Sequence, residues 1–544
     1  MPPPGKWYTY SQGGMPVEEY MMDWETEKNF NVTGLCIPGR HYMVDTSARI
    51  EAIIRDYIDK GAYFTINRAR QFGKTTTLAL LTARMKEEYA VIRMSFEGRD
   101  SFFESFARFC YNIRLELIDR LERCGFGGLA AVWGEPADEH APELYLRRKI
   151  SELCEKAGKP VVLMIDEVDR ASDFSVFATF LGILRDMYLE RNESGAPAFL
   201  SVILAGVHDI KNLKKKIRPE SAHSYNSPWN IAADFEIDMS FSAPEIEAML
   251  EGYENDHHAR MDISKVAGRI YYYTGGYPFL VSRLCKTIDE TLHDWSPGGV
   301  DDAVKRLVVS TNTLFDDMIK NIENNPPFAE LLRSLLIGGE EFLFQPFLPE
   351  INLGAMYGIL GNRNGKAAIS NLIFETVLYN YFAGIEEIRL AKERFMENSS
   401  MFITDGRLDM DRLVERFATA LESEYRRRDK GFIEREFRLL FICFLRPAIN
   451  GAGHYVVEAQ TRDDRRMDVV VFYGAEKFIV ELKIWRGEQY EAEGMKQLAG
   501  YLDAQGQAKG WLISFHAGKN PPRKGGVFEY EGKEIVETVI ACQD

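Results

Sequence analysis

Residues 63–77 read YFTINRARQFGKTTT, and this stretch decides the fold. The apolar run Tyr63–Ile66 predicts a strand, the residues after it a polar turn, and those from Gly73 onward a helix. A helix that begins directly after such a turn points several backbone N–H groups at one place, which suits a phosphate group. The stretch therefore predicts a strand, a turn and a helix that together bind a nucleotide.

The Gly-Lys-Thr sequence at 73–75 suggests a role for each residue. Lys74 would reach the β- and γ-phosphates of ATP, and the Thr75 hydroxyl would ligate Mg²⁺. The first glycine of the full pattern, GxxxxGK followed by Ser or Thr, is absent because Arg68 stands there. For Arg68 and Arg70, a structural salt bridge is the alternative to a phosphate contact. The expected nucleotide contacts are Arg68, Arg70, Gln71, Phe72, Gly73, Lys74, Thr75, Thr76 and Asp166.

A second apolar run, Val161–Ile165, ends in Asp166 and Glu167. Its composition predicts a buried parallel strand, and such strands present side chains at their carboxyl ends, where ligands bind in open α/β sheets. Asp166 would hold Mg²⁺ and Glu167 would polarise the attacking water. An ordinary helix start and an ordinary strand end are the alternative for the two motifs. Asp169 is expected to cap a helix.

Further apolar runs at Val91–Phe96 and Phe199–Ala205 are separated from the first two by stretches long enough to form helices. This alternation predicts an α/β fold with a parallel sheet. Residues 1–45 show no periodicity and are expected to form an N-terminal segment that leads into a helix at Thr46–Lys60.

Four segments resemble the AAA-like ATPases related to the STAND class: NRARQFGKT at 67–75, GVHD at 206–209, SPWNI at 227–231 and TGGYPFL at 274–280. The resemblance covers about residues 35–295. It implies an ASCE-type P-loop sheet with an extra strand between the two nucleotide-binding strands, followed by a helical lid. Proteins of this type are usually switches in which the nucleotide state is coupled to an effector domain.

The strand that resembles a sensor strand ends in Gly206 and Val207, which carry no polar side chain. His208 and Asp209 are therefore the remaining candidates for a sensor of the nucleotide. The candidates for an arginine finger are Arg185, Arg191 and Arg218.

The rest of the chain is expected to form several units. A P-loop core at 46–240 precedes a helical lid at 241–322, which begins near Ser242 and breaks at Thr274–Pro278. The units that follow are a winged-helix-like unit at 323–384 with a hairpin around Gly361–Gly365, a helical connector at 385–428 and an α/β domain at 429–544.

Near the C-terminus, Arg466–Val471 and Lys477–Lys483 predict two strands of a hairpin that turns near Gly474. Alternation places Glu481 and Lys483 on one face, and the neighbouring strand can bring Asp468 beside them. Two carboxylates would then hold a divalent ion, and Lys483 would orient water and stabilise charge at a phosphate. A surface hairpin with a cross-strand ion pair is the alternative.

Other residues complete a longer pattern: Glu436 on a helix, Glu458 at a strand end, and Gln497 and Tyr501 on one face of a later helix. The order of these residues around Asp468 and Glu-x-Lys resembles the PD-(D/E)XK nuclease superfamily over about residues 415–520. The resemblance implies a restriction-endonuclease-like domain with Asp468, Glu481 and Lys483 in catalysis. A fold that binds nucleic acid without cutting it is the alternative.

Composition limits the class of protein. A net charge of −16 argues against a protein that coats nucleic acid through bulk charge. Seven widely spaced cysteines predict neither a disulfide framework nor a zinc site. Because no signal peptide or long apolar run is seen, we expect a cytoplasmic protein with no membrane contact, and a homo-oligomer is possible.

These observations predict a switch protein that binds and hydrolyses ATP. Its nucleotide state would control a Mg²⁺-dependent phosphodiesterase acting on DNA or RNA, in defence or in control of mobile elements. The alternative is a nucleotide-controlled scaffold whose C-terminal domain binds a partner or nucleic acid without cleaving it.

Overall fold

A computed structural model describes residues 28–134, 140–171, 175–207, 229–338, 340–391, 399–425, 430–449, 453–458, 468–484, 488–504, 506–516 and 525–541. Parallel strands form an N-terminal sheet in the order β1-β4-β3-β2. Their bounds are β1 Tyr63–Asn67, β2 Ala90–Ser95, β3 Val161–Asp166 and β4 Ser201–Gly206. The expectation of a parallel sheet with an extra strand between the nucleotide-binding strands is confirmed, since β4 lies between β1 and β3.

Helices cover both faces of this sheet. They are α1 Ser47–Ile53, α2 Lys74–Met85, α3 Phe106–Arg123, α4 Gly127–Ala130, α5 Pro142–Lys156 and α6 Ser175–Ser194. Residues of α1 and α2 share one buried cluster with the sheet, and residues of α3, α5 and α6 share the cluster on the other face. Both central strands, β3 and β4, are buried at every residue, which explains their continuous apolar sequences.

The lid is helical, as expected. Its helices are α7 Ala243–His257, α8 Ile263–Thr274, α9 Pro278–Thr287, α10 Pro297–Val308 and α11 Thr313–Glu323. The predicted start at Ser242 is confirmed, because the Ser242 backbone N–H donates to Glu245 Oε2 at 2.7 Å in a capping box. The predicted break is confirmed by the end of α8 at Thr274 and the start of α9 at Pro278.

The unit after the lid contains two helices, a hairpin and a long helix. These are α12 Pro326–Arg333, α13 Pro349–Met356, β5 Leu360–Arg363, β6 Lys366–Ile369 and α14 Leu372–Ala391. The hairpin turns at Asn364 and Gly365, which both have positive φ, as a two-residue turn requires. Helix α14 runs across the boundary that we predict at 384/385.

The predicted connector is not purely helical. It contains a small hairpin of β7 Ile403–Thr404 and β8 Arg407–Leu408, followed by α15 Met410–Tyr425. The reason lies in the Asp405-Gly406 dipeptide, whose residues both adopt positive φ and form the turn. The domain boundaries themselves stay predictions.

The C-terminal part is a six-stranded mixed sheet in the order β13-β14-β12-β11-β10-β9. The bounds are α16 Lys430–Ile449, β9 Gly453–Glu458, β10 Asp468–Tyr473, β11 Glu476–Ile484, α17 Glu488–Ala504, β12 Lys509–His516, β13 Gly526–Tyr530 and β14 Lys533–Ala541. The predicted hairpin is confirmed, with Tyr473 paired to Glu476 across a turn that contains Gly474. Helices α15 and α16 pack on one face of the sheet and α17 packs on the other.

One continuous hydrophobic core includes residues of the lid, the middle unit and the C-terminal sheet. Helix α14 is central to it. The Phe374 ring lies 5.2 Å from the ring of Tyr277 in the lid, and Tyr455 of β9 donates to Asn380 Oδ1 at 2.6 Å. Among the helices that the structure describes, none combines the length and apolar character needed to cross a membrane.

The break between α8 and α9 depends on Gly276. This residue has φ of +77°, and a Cβ there would lie 1.9 Å from the Phe241 carbonyl oxygen. We expect Gly276→Ala to lower the free energy of unfolding by about 3 kcal/mol, because the substitution adds backbone strain and a clash with main-chain atoms. The measurement is urea denaturation of the full chain.

Gly268 provides the matched control, since it is exposed within α8 and a Cβ there meets nothing within 4 Å. Gly268→Ala should leave stability unchanged or raise it by up to about 1 kcal/mol, because alanine is the better helix former. Equal midpoints for the two variants would contradict the role given to Gly276.

Candidate functional site

The turn between β1 and α2 closes around the side chain of Lys74. Gly73 is the N-cap of α2 and has φ of +83°, a conformation that favours glycine. The Lys74 ammonium is buried and donates to the carbonyl oxygens of Arg68 and Ala69 at 2.9 and 3.0 Å. The predicted phosphate-binding lysine thus lies inside the turn, at the amino end of the helix.

The first turn of α2 and the carboxyl end of β3 meet at Thr75 and Asp166. The Thr75 hydroxyl donates to Asp166 Oδ2 at 2.8 Å, and the backbone N–H of Glu167 donates to Asp166 Oδ1 at 3.0 Å. Two hard oxygen ligands therefore lie side by side at the carboxyl edge of the sheet. This pair fits Mg²⁺, which takes carboxylate and hydroxyl oxygens alongside phosphate oxygens.

Several ionisable groups lie close to Lys74. Burial lowers the pKa of Lys74, although Asp169, Glu167 and Asp166 each act to raise it. Burial also raises the pKa of Glu167, Lys74 opposes this shift, and the neighbouring carboxylates of Asp166 and Asp169 add to it. A carboxyl group whose pKa is raised toward neutrality suits a group that accepts a proton from water.

The turn between β1 and α2, residues 68–73, is called the phosphate turn below. The side chain of Arg68 does not point into it. It donates to the Ile237 carbonyl oxygen at 2.8 Å and to its neighbour Asn67, and its guanidinium lies 5.3 Å from the Phe235 ring centroid. Arg68 therefore ties the end of β1 to the segment before the lid. Of the two roles left open for this residue, the structure shows a structural one, made by backbone carbonyls rather than by a salt bridge.

Arg70, Gln71 and Phe72 face the lid. Arg70 forms an ion pair with Asp317 at 2.7 Å, and Gln71 Nε2 donates to Thr313 Oγ1 at 3.0 Å, both on α11. Tyr277 donates its hydroxyl to the Arg70 carbonyl oxygen at 2.5 Å and packs against the Phe72 ring. Side chains of the lid thus contact the same turn that we expect to bind phosphates.

Two other contacts lie next to the site. Thr76 Oγ1 accepts from the Cys36 backbone N–H at 3.3 Å, which brings the N-terminal segment to α2. Arg93 of β2 donates to the Thr75 carbonyl oxygen at 3.2 Å, a contact that the sequence reading missed. The sequence does contain a signal for this contact, because Arg93 is a charged residue within the apolar run of β2. Asp317 and Thr313 carried no signal, because only the tertiary fold brings α11 to the turn.

Several expected residues lie elsewhere. Arg191 donates to the carbonyl oxygens of Gly61 and Phe199, before the amino ends of β1 and β4, so it lies at the sheet edge opposite the phosphate turn. The prediction that Asp169 caps a helix is wrong, since it lies within the 3₁₀ turn Val168–Arg170. The candidates His208, Asp209 and Arg218 lie outside the described residues.

The C-terminal candidate site centres on Glu481 of β11. Glu481 is fully buried, and Lys483 Nζ lies 3.1 Å from its Oε1. The Lys483 ammonium also donates to Gln497 Oε1 of α17, and Tyr501 is buried one turn further along that helix. The structure therefore brings Glu481, Lys483 and Gln497 together, whereas the spacing predicts only that Glu481 and Lys483 share a face.

Strand register places the other acidic positions in the same row. Asp468 is directly opposite Glu481 on one side and Glu458 on the other. Directly opposed positions of antiparallel strands share a face of the sheet. Glu436 lies within α16. The side chains of Asp468, Glu458 and Glu436 are outside the described part of the structure, so the roles given to them stay predictions.

Comparison with known proteins identifies the N-terminal part. A family model described as an AAA-like domain matches residues 40–296. The chain therefore contains an AAA-like domain. This domain includes the phosphate turn, β3 and the first helices of the lid. The match ends before the middle unit and the C-terminal sheet. Comparison with curated proteins gives no match.

The solved structures that match this chain share little sequence with it. The Walker-type ATPase PABY2304 of Pyrococcus abyssi is 14% identical, with 64% of this chain and 99% of that chain covered and a TM-score of 0.41. The Aeropyrum pernix ORC1 protein in complex with DNA is 13% identical, with 62% and 93% covered and a TM-score of 0.30. The Aeropyrum pernix ORC2 protein in ADPNP–ADP complexes is 12% identical, with 62% and 94% covered and a TM-score of 0.33.

The two arginines of the turn should differ in their effect on stability. We expect Arg68→Ala to lower the free energy of unfolding by about 1–3 kcal/mol, because half-buried carbonyls lose their donor. Arg70→Ala removes only an exposed ion pair and should cost less than about 1 kcal/mol. Urea denaturation of both variants checks this, and a larger loss in Arg70→Ala would contradict the placement of the two side chains.

Proposed function

We propose that the chain binds and hydrolyses Mg²⁺-ATP at the carboxyl edge of β1 and β3. The nucleotide state controls a metal-dependent phosphodiesterase in the C-terminal sheet, which acts on DNA or RNA. The observation that carries the nucleotide assignment is the 2.8 Å bond between Thr75 Oγ1 and Asp166 Oδ2, because it joins the two motifs that such a site needs.

Each residue of the nucleotide site has a task. Lys74 exchanges the carbonyl oxygens of the turn for phosphate oxygens, which give its buried ammonium a stronger partner. Thr75 and Asp166 hold Mg²⁺, which supplies positive charge against the phosphates when bound. Glu167 orients and deprotonates the attacking water, and the raised pKa of its carboxyl group suits that role.

The C-terminal site has the residues for phosphodiester hydrolysis. Glu481 and Asp468 supply carboxylates from directly opposed positions of neighbouring strands. Lys483, 3.1 Å from Glu481, is placed to hold water and to stabilise negative charge on a phosphate. Gln497 fixes the Lys483 ammonium from the helix that covers this face.

Helix α14 supports control of one site by the other. Its Phe374 packs on Tyr277, whose hydroxyl contacts the Arg70 carbonyl oxygen in the phosphate turn. Six residues further along the same helix, Asn380 accepts from Tyr455 of β9, the strand that ends at Glu458. A change in the contacts between the lid and the phosphate turn would therefore be transmitted through α14 to the edge of the C-terminal sheet.

Two variants test nucleotide binding and nucleotide hydrolysis separately. Lys74→Ala should weaken ATP binding by about 10-fold or more, since it removes a charged donor to the phosphates. Glu167→Gln should bind ATP but hydrolyse it about 100-fold more slowly, because it cannot accept a proton. Calorimetric titration and phosphate release measure the two effects.

Lys86→Ala, an exposed lysine just beyond α2, is the control and should behave as wild type. Full hydrolysis by Glu167→Gln would contradict the role of Glu167, and unchanged ATP affinity in Lys74→Ala would remove the assignment of the phosphate turn.

Nucleic-acid cleavage should require Glu481. We expect Glu481→Ala to reduce cleavage of single- or double-stranded DNA or RNA to background, because the metal ion loses a ligand, while ATP affinity is unchanged. Glu529→Ala removes an exposed carboxylate of β13 in the same sheet and is the matched control. The assay uses the whole chain of residues 1–544 with Mg²⁺, with and without ATP.

Lys74→Ala in the same assay tests control by nucleotide, and its cleavage should not respond to ATP. Equal cleavage by wild type and Glu481→Ala would remove the nuclease assignment. Binding of a nucleic acid by the wild type without any cleavage would favour the scaffold alternative.

A further inference from the structure

The carboxyl end of β4 lacks the polar side chain expected of a sensor strand. Gly206 ends the strand and Val207 follows it. The backbone N–H of Val207 instead donates to Asp169 Oδ2 at 2.6 Å. A carboxylate from the loop after β3 thus takes up the polar contact at this position.

The loop that carries Asp169 also packs tightly against the end of β4. A Cβ on Gly206 would lie 2.9 Å from Asp169 Oδ1 and 2.9 Å from Val168 Cγ2. These distances are below ordinary van der Waals contact, so a side chain at 206 would push the loop away from β4. The glycine is required here by the neighbouring loop, since its own φ is not in the left-handed region.

The loop that Asp169 anchors also carries Glu167. Glu167 has φ of 54° and ψ of 40°, a left-handed conformation that a residue with a side chain adopts only where its surroundings enforce it. The 3₁₀ turn after it is closed by the Arg170 N–H on the Glu167 carbonyl oxygen at 3.2 Å and by the Ala171 N–H on Val168 at 3.0 Å. Neither of these local bonds joins the turn to the sheet, whereas the Asp169–Val207 bond does.

We infer that Asp169 is a positioning residue for ATP hydrolysis, which holds the turn bearing Glu167 against the end of β4 through the Val207 N–H. This inference rests on the proposed function of Glu167. The side chain acts as a hydrogen-bond acceptor on the main chain, and the strand between the two nucleotide motifs thereby fixes the direction of the candidate general base.

Asparagine and alanine separate this role from a merely electrostatic one. Asp169→Asn keeps an acceptor for the Val207 N–H and should retain most of kcat. Asp169→Ala loses the acceptor and should lower kcat by about 10- to 100-fold, because small displacements of a catalytic group have effects of this size. The ATP dissociation constant should stay within about 3-fold of wild type in both, since Lys74 and Thr75 are untouched.

Gly206→Ala tests the same contact from the other side. Its Cβ would displace the Asp169 carboxylate, so we expect its kcat to fall as in Asp169→Ala while ATP binding persists. Hydrogen exchange at the Val207 amide gives a readout that does not need hydrolysis. Exchange should be faster in Asp169→Ala and Gly206→Ala than in wild type, and close to wild type in Asp169→Asn.

The outcomes distinguish the possible failures. If Asp169→Asn loses as much kcat as Asp169→Ala, the charge rather than the hydrogen bond matters and the inference is overturned. Unchanged kcat or unchanged Val207 exchange in Asp169→Ala overturns it too. If the wild type binds ATP but never hydrolyses it, the proposed function fails, while the exchange data still report whether Asp169 holds the turn.

Discussion

The hydrogen bond between Thr75 and Asp166 is the contact on which the nucleotide site depends. It joins the first turn of α2 to the end of β3 at 2.8 Å, although the two residues are 91 positions apart along the chain. Parallel strands make this possible, because their carboxyl ends meet at one edge of the sheet. The carboxylates of Asp166, Glu167 and Asp169 lie near Lys74 at that edge, and Arg70 and Arg93 lie close to the same groups. Mg²⁺ bound there would offset part of the negative charge that the nucleotide phosphates add.

The phosphate turn between β1 and α2 also contacts the lid. Arg70 and Gln71 contact α11, and Tyr277 donates to the Arg70 carbonyl oxygen, so the lid contacts the short segment that we propose to bind phosphates. The lid, the middle unit and the C-terminal sheet share one hydrophobic core. This shared core is the physical link that the proposed switch requires between the lid and the C-terminal sheet.

The sequence predicts the parts of the site whose signals are local. Buried apolar runs identify β1 to β4, and the Gly-Lys-Thr and Asp-Glu sequences locate the site at their ends. The sequence does not determine the direction of the Arg68 side chain, because that direction depends on Ile237, which is distant along the chain. Asp169 was misread as a helix cap, since a carboxylate just after a strand has the same local pattern whether it caps a helix or binds a neighbouring strand. The Asp405-Gly406 turn carried a local signal that the helical interpretation of the connector overlooked.

A double-mutant cycle on Thr75→Val and Asp166→Asn tests the central claim most directly, with ATP affinity measured by calorimetry in the presence and absence of Mg²⁺. If the two side chains form one metal site, Mg²⁺ tightens ATP binding in the wild type. Each single variant then loses that gain, and the double variant loses no more than either single variant. Persistence of the full Mg²⁺ effect in both single variants would contradict the account.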